Sequence, residues 1–289
     1  MRTGHLKVVV ASIIWGSIGL VARTVPAPAA IIVFYRVFFA SLFLAISFAI
    51  QRRWDKFQTR GQTLLLVVTG CFAAINWLLF FAALNLTSVA SAVLASYVAP
   101  VFIAVLAAII LGERLEKISG LALAMAMAGI GLMVLPGQDG ANVHAVGVFL
   151  GAASGFFYAS EVICCKVLVR KLAPDSVNFF AMGVAAVVTL PFLFFQPFAL
   201  DGRSLAALLV LGGFHTALAI SLYYSALRQV KAQVAGVLSY LEPVSAAVFA
   251  ALFLGEHPTP ETYLGGLLVI LAGLATTLAG AETVEKVED

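Results

Sequence analysis

Charged side chains inside long apolar stretches are the residues of this sequence best suited to chemistry. Glu242 lies some eleven residues into an apolar run and directly precedes Pro243. A charged side chain at such a depth in a bilayer costs about 2.5–3.5 kcal/mol on insertion scales, so intramembrane acids commonly bind a cation or exchange a proton. Glu242 is therefore predicted to couple protons or bind an amine. The alternative is a permanently neutral acid bonded to the backbone.

Three further ionisable residues lie within or at the ends of such runs. Arg36 is about seven residues from the end of its run. A guanidinium pairs bidentately with carboxylates, which predicts an anchor for a substrate carboxylate; the alternative is a side chain that snorkels to the interface. His215 could bind a ligand or a proton, or be a buried histidine bonded to the backbone. Glu161, five residues before Lys166, is predicted to form an interfacial ion pair.

Two prolines, Pro100 and Pro243, fall in the middle of apolar runs. Each removes one backbone donor and frees the carbonyl four residues earlier, which lipid cannot satisfy. We predict that both prolines are hinges facing a central cavity, although a kink satisfied by the neighbouring serine is the alternative. The residues placed near the substrate by this prediction are Ser96, Tyr97, Ser239 and Tyr240.

Aromatic and amide side chains recur on the same runs. Asn76 and Phe80 are one helical turn apart and hence on one face. Aromatic walls with few polar groups suit a planar, moderately apolar metabolite, and packing against lipid or other helices is the alternative. The predicted substrate-binding candidates of this kind are Trp15, Asn76, Trp77, Phe80, Tyr158 and Tyr223, with Tyr224 beside them.

The elements that carry these residues are membrane helices. Of 289 residues, 62% are hydrophobic and 11% charged, with a mean hydropathy of +1.06. A soluble domain is about one quarter charged, so a soluble protein is excluded. Runs of about 20 apolar residues match the hydrocarbon thickness of a bilayer. We predict ten spans, at 6–22, 29–50, 61–83, 88–111, 118–135, 145–165, 176–195, 204–227, 232–254 and 262–281.

The basic residues alternate between the two sides of these spans. Of the 17 lysines and arginines, 14 fall at the termini or in loops on one side, and only Arg23 and Arg203 fall in loops on the other. By the positive-inside rule, the basic side faces the cytoplasm. Both termini are therefore predicted to be cytoplasmic, in agreement with an even number of spans.

The chain also repeats itself at an offset of 143 residues. Ser96-Tyr97 aligns with Ser239-Tyr240, Pro100-Val101 with Pro243-Val244, and Leu111-Gly112-Glu113 with Leu254-Gly255-Glu256; 14 of the 31 positions from Ala83 to Glu113 are identical. Each repeat then holds five spans, 1–143 and 144–289, within one integral-membrane domain. Because five is odd, the second repeat is inverted. Inverted repeats are typical of secondary transporters, whose sites lie near the midplane.

This pattern resembles the EamA type of the drug/metabolite transporter superfamily. The ten spans, the duplicated Pro and Leu-Gly-Glu positions and the short basic loops carry the resemblance over essentially the whole chain. The resemblance implies an all-α polytopic fold and a proton-coupled or facilitative carrier. Many members are bacterial exporters, and the aromatic amino-acid exporters are the most similar branch.

The predicted function is export of small metabolites, with aromatic amino acids favoured, by alternating access across the bacterial cytoplasmic membrane. The alternative is a proton-coupled efflux carrier of broad specificity. An intramembrane enzyme is disfavoured because the sequence contains no HExxH motif and no paired membrane aspartates. The expected partners are a small-molecule substrate and the lipid bilayer, without nucleic acid, cofactor or metal. The oligomeric state stays open, with a monomer plausible.

Overall fold

A computed structural model of the chain describes residues 3–87, 89–114, 116–134, 144–195, 198, 200–255 and 259–288. In these residues the regular elements are all helical. We number the ten spans in chain order. The first five are span one (Thr3–Gly16 and Ile18–Ala22), span two (Ala29–Ile50), span three (Thr63–Leu86), span four (Val89–Ser96 and Ala99–Leu111) and span five (Lys117–Val134). The second five are span six (Ala145–Leu168), span seven (Pro174–Thr189 and Phe192–Phe195), span eight (Gly202–Val210, Leu211–Leu218 and Ala219–Leu227), span nine (Ala232–Ser239 and Leu241–Leu254) and span ten (Pro260–Glu288).

These spans are those of a multi-pass membrane protein, as predicted. Nine of the described helices are long and apolar enough to cross a bilayer, and a shorter apolar helix, Pro260–Thr276, supplies the tenth span. Large apolar side chains lie on the outside of the bundle, among them Ile109, Phe149 and Leu252, each at least 70% exposed. Such a surface is unfavourable in water and suits contact with lipid.

Small residues let the helices pack closely. A Cβ atom built on Gly129 would lie 2.5 Å from the Gly265 carbonyl oxygen, and one on Gly70 would lie 2.6 Å from that of Ala181. Helices in lipid associate through such close backbone approach rather than through a hydrophobic driving force. Span five therefore packs tightly on span ten, and span three on span seven.

The helix pairings are symmetric between the two repeats. Span three packs on span six and span eight on span one, while span two packs on span seven and span five on span ten. Each pairing is reproduced when the repeats are exchanged, which is the property of a twofold relation. Tyr97 and its equivalent Tyr240 contact each other, with ring centroids 6.1 Å apart. The pseudo-twofold axis therefore passes close to this pair.

The basic segments meet at one end of the bundle. Lys7 Nζ donates to Ser225 Oγ at 2.7 Å, and Lys56 Nζ pairs with Asp175 Oδ1 at 2.7 Å. Arg228, between spans eight and nine, donates to main-chain carbonyls between spans six and seven. We call this end the basic face. The predicted alternation of charge thus corresponds to two chemically different faces.

Candidate functional site

A cavity of about 420 Å³ lies in the middle of the bundle, and most of the predicted site residues line it. We call it the central cavity. The predicted residues in its wall are Trp15, Arg36, Asn76, Trp77, Phe80, Ser96, Tyr97, Pro100, Tyr158, Tyr223, Ser239, Tyr240 and Glu242. Residues from both repeats, far apart in the sequence, therefore share one wall.

The central cavity extends away from the basic face. Its lining includes Ile18, Ala22, Ala29 and Ile32, which flank the connection between spans one and two on the opposite side. Toward the basic face, its lining ends at residues such as Glu161 on span six. The structure thus presents a chamber that reaches from the midplane toward the face opposite the basic one.

Spans four and nine are each interrupted shortly before the predicted hinge proline, Pro100 or Pro243. Helical geometry is interrupted after Ser96 in span four and at Tyr240 in span nine. The two serines do not bond at the break: Ser96 and Ser239 each donate at 2.8 Å to carbonyls in the preceding turn. The Tyr97 carbonyl instead accepts a hydrogen bond from the Tyr240 hydroxyl. The two breaks are thus bonded to each other across the axis. The break of span nine places Glu242 in the cavity wall, whereas Pro243 does not line it.

Arg36 is held within the bundle rather than directed to the interface. Its Nε donates to Thr216 Oγ1 at 2.6 Å, and its Cζ lies 5.4 Å from the centre of the Trp77 ring. Stacking on an indole face and a single hydroxyl acceptor both fix the guanidinium plane. The remaining guanidinium donors are available to a bidentate acceptor in the cavity.

The partner of Arg36 comes from a stretch of π-helix that the sequence analysis missed. Span eight is π-helical over Leu211–Leu218. The extra residue per turn displaces carbonyls from the regular ladder, and two of them, those of Thr216 and Ala217, accept from Asn178 Nδ2 at 3.2 and 3.0 Å. Such π segments recur at functional sites. The Gly212-Gly213 pair is the only local signal for it, since Gly212 allows close contact with the Arg36 backbone.

His215 does not line the central cavity, so its predicted substrate contact does not match the geometry. Its Nε2 lies 2.9 Å from Ser17 Oγ and its Nδ1 3.3 Å from the Val210 carbonyl oxygen. The side chain is 1% exposed, and the backbone carbonyl of His215 accepts from Trp15 Nε1 at 3.0 Å. Both ring nitrogens thus face protein partners, which corresponds to the structural alternative.

Glu161 was predicted to pair with Lys166 at the interface, and the structure places it elsewhere. Lys166 Nζ bonds Glu113 Oε1 at 2.7 Å instead. Glu161 accepts from the Tyr224 hydroxyl at 2.7 Å, is 5% exposed and lines the central cavity. Its spacing of three residues from Tyr158 was the signal available, because residues three apart share a helix face.

The cavity therefore carries one guanidinium and two carboxyl groups among aromatic rings. Arg36 comes from span two, Glu161 from span six and Glu242 from span nine. Trp15 and Tyr223 pack with centroids 5.3 Å apart in the same wall. Among the described residues no cluster of three or more His, Cys, Asp or Glu side chains could hold a metal ion. The wall thus carries groups that could pair with a carboxylate, with an ammonium group and with a flat apolar group.

Comparison with known proteins agrees with this architecture. The profile of the EamA-like transporter family matches residues 2–135 and again 145–278. An Archaeoglobus fulgidus protein described as an uncharacterized transporter is 30% identical over 274 residues, covering 95% of this chain and 96% of its own. The pseudopaline exporter CntI of Pseudomonas aeruginosa is 26% identical over 281 residues, covering 95% and 96%.

A solved crystal structure shares the fold, with a TM-score of 0.85 over 96% of this chain and 97% of that chain at 19% identity. The family profile thus matches the chain twice, once in each half. Both relatives are named as transporters, so transport rather than catalysis is the activity of this architecture. The chain belongs to the EamA-like transporter family.

Proposed function

We propose that this transporter exports amino acids, with aromatic ones favoured, across the bacterial cytoplasmic membrane by alternating access. The observation that carries the proposal is the presence of opposite charges within one aromatic cavity. Arg36 offers a bidentate partner to an α-carboxylate, and Glu242 or Glu161 offers a partner to an α-ammonium group. A zwitterion satisfies both signs, whereas a simple cation or anion leaves one of them unpaired.

The apolar part of the wall suits an aromatic side chain. The cavity volume of about 420 Å³ lies within the range of small-molecule sites, about 300–1,000 Å³. Trp77, Tyr158 and Phe80 present rings to this volume, and aromatic pairs gain about 0.5–1.5 kcal/mol beyond the area they bury. A planar apolar group is therefore favoured over a charged one.

The two faces of the bundle support the proposed orientation and direction of transport. By the positive-inside rule, the basic face and both termini would lie in the cytoplasm. The central cavity then opens to the outside, as expected for the state that releases an exported substrate. The two repeats, 1–143 and 144–289, would move against each other about the breaks at Pro100 and Pro243, and Glu242 would exchange the coupling proton.

A second candidate function is proton-coupled efflux of lipophilic cations. The observation in its favour is the excess of acid, since two carboxyl groups face a single guanidinium in the cavity. Aromatic walls with a membrane acid can accept many cationic drugs. In this case Arg36 would repel the substrate rather than bind it.

The test is counterflow in proteoliposomes. Loaded unlabelled L-phenylalanine should drive uptake of labelled L-phenylalanine, while phenylethylamine, which lacks the carboxylate, should compete at least ten-fold less effectively. Ethidium in the same assay reports the efflux alternative. Transport of phenylethylamine or ethidium in preference to phenylalanine would overturn amino-acid export. Relief of phenylalanine toxicity on overexpression would show the direction in cells.

A further inference from the structure

We propose that a second cavity, at the basic face, is the entry site that binds the substrate carboxylate before it reaches the central cavity. This inference rests on the proposed function. The second cavity, which we call the basic cavity, has a volume of about 680 Å³. Its wall carries four basic side chains and one acidic one: Lys166, Arg170, Arg228, Lys231 and Glu113.

The basic cavity and the central cavity are both lined by residues at the basic ends of spans six and eight. Glu161 and Tyr224 line the central cavity, and Lys166 and Arg228 line the basic one. Lys166 is on the same helix as Glu161, and Arg228 directly follows the helix that carries Tyr224. A separation of four or five residues corresponds to about 6–8 Å along a helix axis. The two cavities are therefore consecutive chambers between spans six and eight.

In the wall of the basic cavity, Lys166 already pairs with a carboxylate of the protein. Lys166 is 7% exposed, and its Nζ bonds Glu113 Oε1 at 2.7 Å and the Val230 carbonyl oxygen at 2.5 Å. The other Glu113 oxygen accepts from the Ala232 main-chain N–H, at the start of span nine, at 2.9 Å. Lys166 is thus a carboxylate-binding group whose present ligand belongs to the protein.

A substrate carboxylate can replace Glu113 at Lys166. The displaced Glu113 then no longer holds the start of span nine, the span that carries Glu242 and a proline break. Binding at the basic face would in this way loosen the helix that must move for the central cavity to open inward. Lys166 and Lys231 pair with Glu113 and Glu116, so the positive charge of the wall comes from Arg170 and Arg228, and it raises the local concentration of carboxylates. A phosphate uses the same donors, and a lipid headgroup could supply it.

The first experiment reports binding without transport. The purified protein is treated with acetic anhydride, and acetylation of Lys231 is measured by mass spectrometry, because its side chain is 41% exposed and lines the basic cavity. Lys117, exposed at the same face but outside the cavity, is the internal control. L-Phenylalanine and benzoate should slow Lys231 acetylation at least three-fold, and phenylethylamine should not.

The second experiment measures transport from each face in proteoliposomes of known orientation. Lys166→Gln should raise the KM for L-phenylalanine at the basic face at least five-fold and change it less than two-fold at the opposite face. Lys56→Gln is the matched control, because Lys56 is as buried as Lys166, pairs with Asp175 at 2.7 Å on the same face and does not line the basic cavity.

The outcomes separate this inference from the proposed function. Protection of Lys231 by phosphate or by phosphatidylglycerol nanodiscs, without protection by phenylalanine or benzoate, would assign the site to a headgroup and overturn the entry role. Equal KM changes at both faces would also overturn it, since a general loss of structure acts on both. If phenylalanine protects Lys231 but is not transported, the proposed function fails while a carboxylate site stands.

Discussion

The two proline-broken spans occupy equivalent positions in the two repeats, yet they differ in charge. Span four has Ala99 before its proline, and span nine has Glu242. Both retain the Ser-Tyr pair, and the tyrosines Tyr97 and Tyr240 meet at the pseudo-twofold axis. The residues that the two repeats share thus form the helix breaks and the contact between them, while the charged residue before the proline occurs only in the second repeat.

The same holds for the other charged residues of the central cavity. At the offset of 143 residues, Arg36 aligns with Phe179, and Glu161 aligns with Ile18. The guanidinium therefore comes from the first repeat and both carboxyl groups from the second. A symmetric site would offer the same groups to both ends of a ligand and could not distinguish them. A site with a cation at one position and acids at others suits a ligand whose two ends carry opposite charges.

The helix contacts beside the two breaks also differ. We call these contacts, of span six with span four and of span one with span nine, the seams. In span six, Gly155 lies so close to the Ser96 carbonyl oxygen that an added Cβ would be 2.7 Å away. The equivalent residue in span one is Ser12, whose hydroxyl donates to Val8 at 2.9 Å and contacts the Leu238 carbonyl at 3.4 Å. The two seams thus differ in residue type, with a glycine in span six and a serine in span one.

Of the substitutions that test the difference between the repeats, removal of Arg36 should have the largest effect on transport. Arg36→Ala is expected to lower kcat/KM for L-phenylalanine about 100-fold, because a charge-assisted bidentate pair contributes about 1.5–3 kcal/mol and each 1.36 kcal/mol is ten-fold. The rate for phenylethylamine should change less than three-fold. Counterflow measures both. Arg203→Ala, exposed and outside the cavity, is the control, and an equal loss for both compounds would contradict carboxylate binding.

Glu242 should give the next largest effect. Glu242→Gln is expected to reduce proton-driven transport at least ten-fold and to abolish its pH dependence, because the amide keeps the shape but cannot release a proton. Substrate flux measured as a function of an imposed pH gradient gives both the rate and its pH dependence. Glu261→Gln, an exposed acid, is the control. Unaltered pH dependence in Glu242→Gln would exclude the coupling role.

The two seams can be compared by stability. Gly155→Val should destabilise the protein by about 1–3 kcal/mol, because the new methyl groups meet the Ser96 backbone and overpack the seam. Ser12→Ala should cost only about 0.6 kcal/mol, the average for interhelical hydrogen bonds in membranes. Thermal unfolding in detergent gives both values. An unchanged stability in Gly155→Val would contradict the close contact at this seam.

The smallest effect is expected at the axis. Tyr240→Phe removes the hydrogen bond to the Tyr97 carbonyl and retains the ring contact, so we expect a loss of about 0.6 kcal/mol and a modest change in rate. Tyr97→Phe is the matched control, since the bond uses the Tyr97 carbonyl rather than its hydroxyl. A larger loss in Tyr97→Phe than in Tyr240→Phe would contradict this assignment of the donor.

Sequence patterns predicted the spans, the repeat and most of the cavity wall, because hydropathy, charge alternation and the 143-residue offset act along the chain. They did not predict the partners of individual groups. Glu161 bonds Tyr224 rather than pairing with Lys166, because the pairing depends on which helix faces Lys166 across the bundle. His215 lies within a π-helical stretch whose sequence differs little from that of an ordinary apolar helix, so its position away from the cavity was not predictable.

Equilibrium binding of three matched ligands to the wild-type protein tests the central claim most directly. L-Phenylalanine carries both charges, phenylethylamine only the ammonium group, and phenylpropionate only the carboxylate. A cavity with Arg36 opposite two acids should bind phenylalanine at least ten-fold more tightly than either of the others. Binding of phenylethylamine as tight as that of phenylalanine would contradict the account.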